Sequence, residues 1–229
     1  MKKKLIYVVL KIALILSAAT LFAQDFTVHM KDQDGGISTH YVSRNAVRYV
    51  SNSPAEVDVI YRIDKGIIVH IDDKRKTYDE VTLAEARQQS AAKSAHQNPE
   101  MAQFAAALTP TITKIGPGET IAGYPTEKYS IKTGMSKAEG WVTPALELPS
   151  GYYDMLSASL GSLSGGFGQL LKTMKASQIK GYLLKSEGTS TMPMMKGMTF
   201  TTVATSVDKS TIPASIFEVP AGYRKVESH

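Results

Sequence analysis

Three kinds of side chain in this 229-residue sequence could do chemistry by type and spacing: histidines, clustered methionines, and serines set between glycines. His29 and His40 flank Asp34-Gly35, a pair that tolerates positive φ and closes tight hairpins. A two-residue turn there sets His29 opposite His40 on the polar face. Two imidazoles so placed could begin a zinc or copper site, with His70 as a third ligand. No signal brings His70 near them, and a bulge at Gly36 would shift the register, so solvated histidines are the plainer reading. Met192-Pro193-Met194-Met195-Lys196-Gly197-Met198 gathers four thioethers, soft ligands suited to Cu(I). The same run also reads as a pliable apolar contact surface, or as a hairpin loop folded over the core edge. Gly161-Ser162-Leu163-Ser164-Gly165 puts leucine where a nucleophile elbow needs serine, and it reads as a glycine-broken helix junction. Thiol chemistry, disulfides and Cys-ligated metals are excluded, because the chain has no cysteine. Nothing here pairs a nucleophile with a base. The expectation is no enzyme and no cofactor.

Residues 1–23 have the order of an export signal: Lys2, Lys3 and Lys4, then apolar Leu5 to Phe22, then a small residue, Ala23. A membrane anchor is the rival, but the apolar run after Lys11 is shorter than the ~20 residues a spanning helix needs. With no cysteine after that run, lipid attachment there is excluded. Removing the four lysines of the signal takes 26 basic residues to 22, against 21 acidic. Nearly all the excess positive charge therefore belongs to the signal, and a nucleic-acid surface loses its support. The expected address is periplasmic, without a lipid anchor and without a membrane span after cleavage.

The elements that would position any site follow from periodicity. Phe26, Val28 and Met30 alternate with Thr27, His29 and Lys31, the two-residue period of a half-buried strand. Ile37, Thr39 and Tyr41 are assigned to the same face as Val28 and Met30. A second hairpin turns at Lys65-Gly66, and Thr77 to Val81 closes an antiparallel meander. Thr82-Leu83-Ala84-Glu85 is a capping box that opens a helix-rich insertion near 82–108. Strands return at Thr111, Thr126 and Glu139, the last carrying the sole tryptophan, Trp141. A second helical insertion spans 151–176, with Leu156, Leu160, Leu163, Phe167 and Leu170 on its apolar side. Two further strands and a proline-flanked end, Ile212 to Tyr223, complete the chain. Tyr41, Tyr49, Tyr61 and Tyr78 recur across the first strands. About ten antiparallel strands cannot stay flat, so the sheet curls around its helices. An incompletely covered curl leaves an apolar hollow between the layers; a filled core is the alternative.

Ile121-Ala122-Gly123-Tyr124-Pro125-Thr126-Glu127-Lys128-Tyr129, then Gly140-Trp141-Val142-Thr143-Pro144, then Ile212 to Tyr223, resemble the exported bacterial "domain of unknown function 4412" family. Arg75-Lys76-Thr77-Tyr78 ahead of a helix fits its first half. The resemblance covers most of the chain after the signal. It implies a build similar to the lipoprotein-sorting (LolA-like) periplasmic carriers of Gram-negative bacteria, a curved half-barrel holding acyl chains beneath helices. It carries over no catalytic residues.

These readings converge on one expectation. The fold class is α+β: a curved antiparallel sheet, residues 24–229, with helices packed on its concave side. The function is a non-enzymatic module that binds a lipid or other apolar ligand, lined by Leu156, Leu160, Leu163, Phe167 and Leu170. The alternatives are copper handling through Met192, Met194, Met195 and Met198, or an accessory role with an envelope protein as partner. Nucleic acid is not an expected partner, and the oligomeric state is left open.

Overall fold

The computed structural model describes residues 25–52, 56–95, 109–134, 136–160, 173, 179–191 and 197–227. The expected signal, residues 1–23, lies outside them. The alternating pattern builds β1 (Phe26–Asp32), β2 (Ile37–Val42), β3 (Ala46–Ser51), β4 (Val57–Arg62), β5 (Ile67–Asp72) and β6 (Thr77–Thr82). After helix α1 (Leu83–Ala95) come β7 (Thr111–Pro117), β8 (Glu127–Lys132) and β9 (Ser136–Thr143). Helix α2 (Tyr152–Leu160), β10 (Tyr182–Ser190), β11 (Thr199–Asp208), a 3-10 turn (Ala214–Phe217) and β12 (Arg224–Lys225) follow. The twelve strands form one open, curled sheet in the order β12-β6-β5-β4-β3-β2-β1-β11-β10-β9-β8-β7. Every pairing is antiparallel except β12 with β6. The N-terminal meander and the C-terminal strands meet where β1 pairs β11.

The capping box forms as its sequence predicts. Glu85 Oε2 accepts the Thr82 amide at 2.8 Å, and Thr82 Oγ1 accepts the Glu85 amide at 3.2 Å. The first hairpin does not form as expected. Its loop is three residues long, closed by the Asp32 amide to Gly36 O at 2.9 Å and the Gly35 amide to Asp32 O at 3.2 Å. Asp32 Oδ1 takes the Asp34 and Gly36 amides at 2.9 and 2.7 Å, and Gly35 adopts φ +88°. One added loop residue pairs Val28 with His40 and His29 with Thr39. His40 thus moves to the face of Val28, while Ile37, Thr39 and Tyr41 join His29 on the other.

Both sheet faces of the N-terminal half are covered. On one, the helix face, Phe26, Val28, Val42, Val47, Val59, Tyr61, Ile68 and Val81 pack with Ala86 of α1 and Met155 and Ala158 of α2. On the other, the tail face, Ala46, Ile60, Val69 and Ile71 pack against Ile212 and Phe217 of the C-terminal segment. Sequence reading left this second core unforeseen. Its signal was present in the unbroken runs Val59-Ile60-Tyr61 and Ile67-Ile68-Val69, which mark strands buried on both sides. Polar ties fix the segment: Arg48 Nη1 donates to Ile216 O at 2.9 Å, and the Ile212 amide to Asp25 Oδ2 at 3.1 Å. β12 then covers the start of β6.

In the C-terminal half, Phe200 pairs with Gly188, and a Cβ on that glycine would fall 2.4 Å from the Phe200 ring. The ring therefore lies across the bare backbone and substitutes for the missing side chain. Phe200→Ala is expected to cost about 0.5–1 kcal/mol although Phe200 is 42% exposed. Urea unfolding followed by the fluorescence of Trp141 measures this; an unchanged midpoint contradicts it.

Candidate functional site

The helix face carries a band of aromatic groups whose polar tips lie within an apolar layer. It is positioned by β2 (His40), β3 (Tyr49), β4 (Tyr61), β10 (Tyr182) and the first turn of α2 (Tyr152, Tyr153). His40 meets Tyr49 edge-on at 4.7 Å between centroids and Tyr182 at 5.8 Å. Tyr182 packs edge-on against Phe26 at 5.6 Å. Tyr152 joins Tyr61 at 5.9 Å and Tyr153 at 5.7 Å. The His40 Nδ1 and the Tyr182 hydroxyl share a hydrogen bond, and His40 Nε2 lies 3.4 Å from Ser38 Oγ.

Burial sets the protonation of His40, Tyr61, Tyr152, Tyr153 and Tyr182. It lowers the His40 pKa to about 4, so the imidazole is neutral. It raises Tyr61 to about 12, a shift partly offset by a hydrogen bond to Ser159. Burial also raises Tyr152, Tyr153 and Tyr182. The band is uncharged and rich in hydroxyl groups that keep their protons.

Ser38, His40 and Tyr182 stand in line like a nucleophile, a base and an orienting group. A tyrosine in the third place supplies no negative charge to stabilise an imidazolium. With its affinity for a proton so reduced, His40 is also a weak base at neutral pH. The array suits hydrogen bonding to a neutral molecule better than acyl transfer.

Of the sequence-predicted lining residues, Leu156 lies half-buried on α2 against this core, and Leu160 ends the same helix. Leu163, Phe167 and Leu170 lie outside the described residues. So do Met192, Met194 and Met195; Met198 is 56% exposed. The histidine trio does not assemble. His29 faces Thr39 with Nδ1 3.1 Å from Oγ1, His40 is on the opposite side, and His70 pairs with Asp79 at 3.1 Å. Among the described residues, no group of three or more His, Asp or Glu could hold a metal ion. Tyr49 and Tyr61 belong to the aromatic band, whereas Tyr41 and Tyr78 pack on the tail face. His40 was read as a partner of His29 on the polar face, because a two-residue turn sets the register one position away from the pairing of Val28 with His40. Tyr152, Tyr153 and Tyr182 were missed because nothing local ties them to β2.

The sequence profile described as "Domain of unknown function (DUF4412)" matches residues 37–223. The chain belongs to that family. No curated protein matches the sequence. Among solved structures, an uncharacterised conserved protein from Thermus thermophilus is similar at TM-score 0.49 and 6% identity, covering 90% of this chain and 91% of that one. PNGF-II is similar at TM-score 0.47 and 15% identity, over 90% of this chain and 31% of its own. MucB in the Pseudomonas aeruginosa MucA/MucB complex is similar at 0.43 and 16%, over 89% of this chain and 58% of its own. The DUF4412 chain therefore spans less than two thirds of the latter two.

The segments that carry the DUF4412 resemblance are scaffold. Ile121 and Tyr124 exchange backbone hydrogen bonds at 2.9 Å around Ala122 and Gly123, both at positive φ, as a primed two-residue turn requires. Trp141 is held between the ammonium groups of Lys128 and Lys185, 4.8 and 4.3 Å from its ring. Gly118 is obligatory beside it, since a Cβ there would lie 2.7 Å from Trp141 Cδ1. Phe217 and Tyr223 anchor the tail. No helix among the described residues is long and apolar enough to cross a membrane.

Proposed function

We propose that this DUF4412 chain is an exported, non-enzymatic module that holds an uncharged apolar ligand between the aromatic band and its helical cover. One observation carries the reading. Through the middle of β1 to β4 the side chains directed at the helices are uncharged: Phe26, Val28 and Met30, then His40 and Val42, then Val47 and Tyr49, then Val59 and Tyr61; Asp32, on the same side at the end of β1, is taken up by the amides of its own turn. Binding sites for apolar molecules combine such a lining with a few placed hydrogen-bonding groups, here His40 and the tyrosine hydroxyls. A ligand bearing a net charge would meet no counter-ion in this layer, and burying an unpaired charge is strongly unfavourable. The helices lie on the concave side of the curl in this reading, and Leu156 borders the ligand. Export is supported by the basic, apolar, small-residue order of residues 1–23.

Protein purified from its own host should release one neutral lipid class on solvent extraction, identified by mass spectrometry. The same protein should take up an apolar fluorescent dye saturably. Leu156→Arg, which sets a cation beside the band, should abolish dye uptake with an unchanged circular dichroism spectrum. Background lipid alone, with no saturable dye binding to the wild-type chain, overturns the proposal.

A further inference from the structure

The helix face of the sheet has a polar margin at β5 and β6. Cross-strand pairing aligns its side chains in rows that run from β1 to β6. One row, Phe26, Val42, Val47, Tyr61, Ile68 and Val81, is buried throughout. The next begins with Val28, His40, Tyr49 and Val59 and ends with His70 and Asp79. Along this second row the cover thins. Val59 is 5% exposed, whereas the His70 side chain opposite it is 45% exposed and that of Asp79 24%. The apolar layer therefore reaches solvent at His70.

His70 Nδ1 lies 3.1 Å from Asp79 Oδ1. An ionised carboxylate can only accept, so Nδ1 carries the proton and the neutral ring keeps a lone pair on Nε2. Among the described residues, Nε2 has no hydrogen-bond partner. His29 is different, because the Thr39 hydroxyl beside it can donate or accept and leaves the tautomer open. A half-exposed His–Asp pair adds little stability. What it fixes is which nitrogen is the acceptor.

We infer, on the apolar-ligand reading, that the ligand ends in a hydroxyl group that donates to His70 Nε2. Its hydrocarbon part lies over Val59 towards Tyr49 and His40, a distance of about 14 Å from β5 to β2 at the usual strand spacing. A ketone or ester end has no proton to give and leaves the lone pair unmet. A carboxylate end faces both that lone pair and the charge of Asp79. Asp72, two residues further along β5 on the same face, is already balanced by Arg75 at 3.7 Å. The ligand class is therefore a long-chain alcohol.

Displacement of the apolar dye from the full chain tests this with dodecanol, dodecanone and dodecanoate at about pH 8, where histidine is uncharged. Dodecanol should act at a concentration at least about threefold lower than the other two, the usual net effect of one hydrogen bond. His70→Leu should remove the advantage of the alcohol over the ketone. Asp79→Asn no longer dictates the tautomer and should reduce that advantage, which keeps the test open if His70→Leu fails to fold. His29→Leu, on the opposite face, should retain it. An alcohol no better than the ketone or the acid, or an advantage that survives both variants of the pair, overturns the inference and leaves the apolar-ligand reading standing. A wild-type chain that takes up neither dye nor dodecanol overturns both.

Discussion

Arg48→Met is expected to destabilise the chain by about 3–5 kcal/mol, the usual result of stranding one partner of a buried ion pair. Arg48 Nε and Nη2 donate to the two carboxylate oxygens of Asp58 at 2.8 and 2.5 Å. Asp58 is only 8% exposed, so the variant leaves a carboxylate on the tail face without its cation. The same substitution removes the donor to Ile216 O and so loosens the C-terminal segment. The pair itself is not what stabilises the fold, because desolvating two charges consumes most of their attraction. Arg48→Met/Asp58→Leu should therefore recover most of the loss. Chemical unfolding followed by circular dichroism decides the matter. A single variant within about 1 kcal/mol of the wild type, or a double variant as unstable as the single, would contradict the account.

Acidification should weaken the fold through His40 before it touches the carboxylates. The folded chain holds the His40 pKa at about 4, against 6.5 for an ordinary histidine. The unfolded chain therefore binds the proton first as the pH falls, and proton uptake favours unfolding. Stability is full above pH 6.5, declines through the interval, and levels off below about 4, for a total of about 3 kcal/mol. The groups facing His40 are Ser38 of its own strand, Tyr49 of β3 and Tyr182 of β10; none of them offers an imidazolium a counter-charge. Asp64, Asp73, Glu85 and Glu127 are held below ordinary carboxylate values by Arg62, Tyr223, the Thr82 amide and Lys114 respectively. Their stabilising contributions are lost only below about pH 4.5, so the upper part of the window isolates the histidine. His40→Phe should be nearly flat in stability between pH 6.5 and 4.5, where the wild type declines. Parallel slopes for the two proteins would refute the assignment.

The meander, the capping box and the return of strands at Thr111 were legible because each depends on residues close in sequence. The two-residue period along β1 and the Thr82–Glu85 reciprocity need no tertiary information. Register was less secure. The choice between a two- and a three-residue loop at Asp34-Gly35 turns on one glycine's φ, yet it decides which face carries His40. The tyrosine recurrence was visible, but an error of one in strand parity separates Tyr41 from Tyr49, and the two lie on opposite sides of the sheet. Partners from distant parts of the chain left no local trace. Tyr182 reaches His40 across 142 positions, and Ile216 reaches Arg48 across 168. Of the apolar lining read from 151–176, the structure places Leu156 against the core.

The position of Ile212 and Phe217 over Ile60, Val69 and Ile71 has a consequence for biogenesis. Ile60, Val69 and Ile71 emerge from the ribosome long before the residues that cover them. β1 likewise waits for β11 to complete its pairing. A nascent chain cannot seal the tail face until Ile212 and Phe217 have been made, and closing such distant contacts is slow. The tail face therefore stays open until late in synthesis. It also stays prone to aggregation, and a truncation ahead of Ile212 would leave it permanently so.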